Sequence, residues 1–265
     1  MKKRFQSCYL DSPIVPGRIY DLFVPGKITS DVAVFFVHGG GWNAGSRTGF
    51  HSFCERLNDL GFVCATTDYR LNANAFEQLK DIREAYDDFI SWLKANGRPL
   101  RIAVHGASAG AHLGGLFALT RPGQIPGEPR AELENEWVAP ECAVLQSTPI
   151  TFEPWNEIFP QVWISMQKAA GAPWESAPER YRALSIREYL AADNPRILFM
   201  EAECEHMFPA RFNQEFMERQ NALGIRSRMK QYAMAEHGFF YSLARCCQRQ
   251  AWQDFMEFIS GTPGA

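Results

Sequence analysis

No window of the 265-residue sequence approaches the roughly 18 consecutive apolar residues of a membrane span. The opening MKKRFQSCYLDSPIVPG is basic, but Gln6, Ser7, Asp11 and Ser12 break the apolar run of about 7–15 residues that a secretory leader carries. The expectation is a cytoplasmic protein without a membrane partner. Positive charge is also in short supply. The formal net charge is -3, so there is no basic field to attract nucleic acid or an anionic surface. None of the seven cysteines forms a C-x-x-C pair, and the number is odd. Cys64 in FVCATT and Cys142 in ECAVLQ sit in apolar runs, which reads as reduced, buried thiols in a reducing compartment. Internal repeats, low-complexity tracts and interdomain linkers are absent too. Residues 1–265 are therefore read as one domain, and 46% hydrophobic residues give it material for a large core.

What the chain does contain is alternation. Strand-like runs occupy 18–24, 32–38, 62–69, 101–106, 142–148, 196–202 and 227–233. Four of them are almost continuously apolar, as expected of strands covered on both faces of a parallel sheet. Helical stretches lie between them. In 76–95, Phe76, Leu79, Ile82, Ala85, Phe89 and Leu93 recur every three or four residues and form one apolar stripe. Residues 209–223 and 240–259 read similarly. Strand–helix–strand succession implies parallel strands with crossover helices, an α/β fold, with the first run or two as an antiparallel edge hairpin. Two segments break the rhythm. Residues 121–141 carry Pro122, Pro126, Pro129 and Pro140 and read as a loop with at most a short helix. Residues 149–190 show no strand and are too long for a plain connection, so they read as a partly helical, cap-like insertion over one end of the sheet.

Chemistry concentrates at two glycine-rich turns. Gly106-Ala107-Ser108-Ala109-Gly110 follows the strand RIAVH and opens a helical run. A chain passing from strand to helix within two residues must turn sharply at the serine, and flanking glycines remove Cβ atoms that would collide. The turn exposes Ser108 Oγ at the carboxyl end of its strand. It also sets the Ala109 N–H at a helix N-terminus, where donors are unpaired and anions are favoured. His38-Gly39-Gly40-Gly41-Trp42 ends the run VAVFFV. Three glycines let the backbone curve until its N–H groups face one point, as stabilisation of an oxyanion requires. A phosphate loop is excluded, because no Lys-Ser/Thr follows and no G-x-G-x-x-G is present.

HGGGW at 38–42, Asp68-Tyr69-Arg70 after the next strand, and GASAG at 106–110 together resemble the α/β-hydrolase serine esterases with an HGGG motif. That group takes in the hormone-sensitive-lipase-like, carboxylesterase, feruloyl-esterase and kynurenine-formamidase branches, and the resemblance runs over nearly the whole chain. It implies a mostly parallel sheet of about eight strands and an oxyanion hole from Gly40, Gly41 and Ala109. It implies a bracing role for Asp68-Tyr69-Arg70. It also implies a Ser-acid-His triad, in that chain order. Of six histidines, His38, His51, His105, His112 and His206 lie in other parts of the pattern. His237, after the last strand-like run and before the last helix, stands where the family keeps its base. The acid is less direct. The family reads Gly-x-x-Asp with a proline four residues beyond, whereas here the segment is Glu201-Ala202-Glu203-Cys204-Glu205-His206-Met207-Phe208-Pro209. Anchoring on Pro209 assigns the role to Glu205, with Glu203 as the alternative.

The implied activity is cleavage of a small carboxylic ester through an acyl-enzyme, with no cofactor. Amide or formamide hydrolysis and peptidase chemistry on the same fold are alternatives, and a non-catalytic ligand-binding protein is a further one. The Glu203–His206 cluster does not suggest a metal, since neighbours on an extended segment point apart and H-E-x-x-H is absent. Trp42, Trp155, Trp163 and Phe239 are the expected walls of the substrate pocket.

Overall fold

A computed structural model describes residues 5–261, so Met1–Arg4, with the basic opening, and the last four residues of the expected 1–265 domain lie outside it. Eight strands run β1 Phe5–Tyr9, β2 Ile19–Phe23, β3 Val32–Val37, β4 Cys64–Thr67, β5 Arg101–Ala107, β6 Cys142–Gln146, β7 Arg196–Cys204 and β8 Arg228–Glu236. Seven α-helices accompany them: α1 His51–Asp59, α2 Ala75–Ala95, α3 Ala109–Leu119, α4 Pro160–Ala170, α5 Pro178–Ala183, α6 Ala210–Ala222 and α7 Cys246–Ser260. All strands join one sheet in the order β1-β2-β4-β3-β5-β6-β7-β8. β1 pairs antiparallel with β2, and β2 with β4; every other pairing is parallel. The seven strand-like runs became β2 to β8. The eighth strand, β1, escaped the pattern because it is a half-exposed edge carrying Gln6 and Ser7.

The sheet separates two cores, and β3 contributes to both with a period of two. Ala33, Phe35 and Val37 face α2 and α3, while Val32, Val34 and Phe36 face α1 and α7. In α2 the Asn74 side chain accepts from the N–H groups of Phe76 and Glu77, and Glu77 returns the bond to Asn74 N–H. That capping box starts the helix. Its buried stripe, Leu79, Ile82, Phe89 and Leu93, holds it to the sheet at about 1.5–3 kcal/mol per side chain. The proline-rich stretch 121–141 contains no helix. It is fastened to α2 instead. Buried Arg83 pairs with Glu128, Asp87 accepts from the N–H groups of Glu134 and Asn135, and Tyr86 donates to the Val138 carbonyl. The expected helix at 240–259 begins only at Cys246. Gln248 explains the late start, since it accepts from Arg245 N–H and donates to the Phe239 carbonyl, which holds 239–245 as an irregular turn.

Two fully buried histidines make the fold sensitive to acid. His105 on β5 is ringed by Phe36, Phe50, Phe240 and Phe255, and burial lowers its pKa to about 3. On α3, His112 accepts from Trp42 Nε1 at 3.1 Å through Nδ1 and donates to the Leu184 carbonyl at 2.7 Å through Nε2. Burial lowers it to about 4. Above pH ~6.5 both are neutral in folded and unfolded chains, so stability does not vary on their account. Below that value the unfolded chain binds protons that the folded one refuses, and stability falls toward pH 4. Urea unfolding at pH 7 and pH 5 should therefore differ by about 2 kcal/mol for each histidine.

Candidate active site

The chain leaves β5 at Ala107 and enters α3 at Ala109, so Ser108 alone makes the turn. Its φ of 54° and ψ of -120° are unusual for a residue with a side chain. Such strain persists where the surroundings hold it. Ser108 N–H donates to the Gln146 carbonyl at 2.8 Å, and its own carbonyl accepts from His112 N–H. The flanking glycines are required by close approach. A Cβ on Gly110 would lie 2.2 Å from the Val37 carbonyl oxygen, and one on Gly106 would lie 2.2 Å from that of Gly110.

Beside this turn, Gly40, Gly41 and Trp42 all have positive φ, at 123°, 58° and 63°. The curve is closed by Gly40, whose carbonyl accepts from the N–H groups of Asn43 and Ala44. A Cβ on Gly40 would strike Ala44 O at 2.1 Å. The N–H groups of Gly40, Gly41 and Ala109 find no acceptor among the described residues. The loop is braced from behind. Tyr69 stacks on His38 at 4.3 Å and donates to the His38 carbonyl at 3.0 Å. Asp68 accepts from Arg47 N–H, and Arg70 pairs with buried Asp81. Burial lowers the pKa of His38, keeping it neutral.

His237 completes the arrangement from the turn after β8. Its Nε2 lies 2.8 Å from Ser108 Oγ, and its Nδ1 lies 3.0 and 2.9 Å from the two oxygens of Glu205. Ser108 and His237 are 129 residues apart in sequence, so only the sheet brings them together. Burial pushes the Glu205 carboxyl up. Hydrogen bonds from His237, from Met207 N–H and from Ser147 outweigh it and leave the carboxyl below its usual range. Glu203 is exposed and accepts from Met234 N–H instead. Behind the acid stands Glu201, fully buried and bonded to Asn213 at 2.9 Å. Burial and the neighbouring Glu205 raise its pKa well above the usual carboxylate value, against the pull of the Asn213 hydrogen bond.

A cavity of about 330 Å³ opens over Ser108 and His237. Phe159, Val162, Met207, Phe208 and Tyr241 form its walls, with Gly40, Gly41 and Trp42 at one side. Of the four expected wall residues only Trp42 lines it, and Trp42 is also an anchor, bonded to His112 and nearly buried. The other three are placed elsewhere. Trp155 packs on Phe208 and Phe212, Trp163 packs on Tyr181, and Phe239 faces Tyr232 in the second core. The segment 149–190 still reaches the cavity, through Phe159, Gln161, Val162 and Ser165 at the start of α4. A larger cleft of about 1100 Å³ lies between Arg18, Arg70, Lys80, Glu84 and Asp88, but it holds none of the residues around Ser108. No group of three or more His, Cys, Asp or Glu side chains among the described residues is arranged to hold a metal. No helix among them is long and apolar enough to cross a membrane.

The family model BD-FAE matches residues 20–219. Among curated proteins, the probable carboxylic ester hydrolase LipM of Mycobacterium tuberculosis is 26% identical over 196 residues, 70% of this chain and 44% of that protein. Esterase LipQ of the same organism is 25% identical over 235 residues, 81% and 53% of the two chains. The chain thus spans about half the length of these relatives. Among solved structures, the propionate-bound esterase Est2 of Thermogutta terrifontis superposes with a TM-score of 0.70 at 20% identity, covering 99% of this chain and 97% of that one. Esterase B of Lactobacillus rhamnosis gives 0.76 at 16% identity, covering 97% and 85%. The sheet order and these likenesses make this an α/β-hydrolase fold.

Proposed function

Because the chain belongs to the BD-FAE family, we propose that it is a carboxylic ester hydrolase whose nucleophile is Ser108, whose base is His237 and whose acid is Glu205. The observation that carries the reading is the hydrogen-bonded line from Ser108 Oγ through both ring nitrogens of His237 to Glu205. With Glu205 ionised, His237 Nδ1 carries the hydrogen and Nε2 is free to accept the serine proton. Ser108 Oγ then attacks the carbonyl carbon, and the N–H groups of Gly40, Gly41 and Ala109 hold the oxyanion. His237 returns the proton to the leaving alcohol, and water repeats the sequence on the acyl-enzyme. The substrate is a small-molecule ester, and the free state of the seven cysteines fits a reducing, cytoplasmic setting.

Segment 149–190 acts as a cap through the start of α4, and substrate size is set by Phe159 and Val162. Both project from that segment into the cavity, Phe159 with half its surface exposed. A panel of p-nitrophenyl esters of increasing acyl length tests this. Phe159→Ala and Val162→Ala should shift the preference toward longer chains, by roughly 10-fold or more in relative kcat/KM, since each methylene accommodated is worth about 1–3 kcal/mol. Trp155→Ala and Trp163→Ala should leave the order of preference unchanged. If the tryptophan variants alone move it, the cap acts through a different surface.

A further inference from the structure

Tyr241 follows His237 by four residues and lines the same cavity as Ser108, Gly40 and Gly41. Its hydroxyl oxygen accepts from Gly39 N–H at 2.9 Å, immediately before the two oxyanion glycines. The ring is locked against Phe50, with centroids 4.8 Å apart and planes within 24°. A phenol that accepts still has one hydrogen to give. Among the described residues that hydrogen meets no acceptor. The structure therefore fixes a donor oxygen at the oxyanion loop and leaves its hydrogen for something that enters the cavity.

We propose that the Tyr241 hydroxyl is a catalytic group that donates a hydrogen bond to the carbonyl oxygen of an ester held at Ser108, alongside the backbone N–H groups. The inference rests on the ester-hydrolase reading above. As Ser108 Oγ bonds to the carbonyl carbon, its proton passes to His237 Nε2 and the C=O electron pair moves onto oxygen. Tyr241 stabilises that charge without surrendering its proton. When the adduct collapses, the pair returns to the C=O bond, the leaving oxygen takes the proton from His237, and Tyr241 is unchanged. A donor already held in place costs no reorganisation at that moment, which is what gives such groups their large effect.

A purely positional role, tethering the oxyanion loop through Gly39, predicts the opposite response to ionisation. A phenolate is a stronger acceptor for Gly39 N–H but has no hydrogen to donate. Burial pushes the native phenol up to about 12, against the pull of Gly39 N–H, so it stays neutral over the working range. The titratable groups around it are His237 in the same turn, His38 bonded to the Gly39 carbonyl, Tyr69 on the His38 carbonyl, and His105 across Phe50. All four are retained in the variants below.

The test measures kcat and KM for p-nitrophenyl butyrate in three proteins across the same pH range. Tyr241→Phe should lose on the order of 10²-fold in kcat with KM little changed and melting temperature preserved. Biosynthetic replacement of Tyr241 by difluorotyrosine makes the phenol several units more acidic. Its activity relative to wild type should fall as the phenolate absorbance appears. If Tyr241→Phe keeps kcat within about threefold of wild type, or if the fluorinated protein holds its relative activity through ionisation, the proposal is overturned. A wild-type protein that hydrolyses no ester overturns the ester reading itself, which is a separate outcome.

Discussion

Replacing Ser108 with alanine should lower kcat by about 10⁵–10⁶-fold while leaving the fold intact. The size of the loss follows from the geometry. Ser108 Oγ is bonded to His237 Nε2 at 2.8 Å at the mouth of an apolar cavity. Without that oxygen, His237 has nothing to activate except water, which is neither held nor aligned by the turn. The fold should survive, because the backbone strain at φ 54° is imposed by β5, α3 and the flanking glycines and is not relieved or worsened by losing one oxygen. Circular dichroism and melting should match wild type within about a degree, as for a substitution that opens no cavity in the core. Residual activity above roughly a tenth of wild type contradicts the assignment of the nucleophile.

Glu205→Gln should cost about 10⁴-fold in kcat, and Glu203→Gln almost nothing. The amide keeps the shape of the acid but offers His237 a hydrogen where the ring itself must donate, so Nε2 ends up protonated and cannot receive the serine proton. Loss of the charge also removes the partner of the imidazolium. Glu203 cannot take over. It lies on the exposed side of β7 and holds Met234 N–H at 2.8 Å. Steady-state kinetics at matched folded fraction distinguishes the two. If Glu203→Gln is the variant that abolishes turnover, the register taken from Pro209 is wrong.

The parts of the site legible in the sequence are those whose geometry is local. A serine between glycines at a strand–helix junction dictates its own exposure, since the Cβ collisions that would forbid the turn occur within the motif and with the adjacent strand. Three glycines ending β3 likewise declare a curved backbone. The position of Glu205, which hydrogen-bonds His237, was readable because Pro209 caps α6 and fixes the register of the residues before it. Apart from Trp42, the pocket walls were not readable. Phe159 and Val162 reach the cavity because α4 enters at a particular angle, and the spacing of aromatics in 149–190 carries no information on that angle. Trp155, Trp163 and Phe239 are equally aromatic and face the core instead. Tyr241 could have been noticed by its distance from His237, but nothing in the sequence pairs its hydroxyl with Gly39, 202 residues away. Glu201 reads as an ordinary strand residue, and only the fold buries it beside Glu205 and bonds it to Asn213.

The most direct test of the account is covalent labelling with a fluorophosphonate followed by peptide mass mapping of the adduct. The account predicts one stoichiometric phosphonyl group on the peptide containing Ser108. It predicts none on the Ser108→Ala protein and sharply slowed labelling in Glu205→Gln and His237→Ala. A folded wild-type chain that remains unlabelled, or an adduct mapped to any residue other than Ser108, would contradict it.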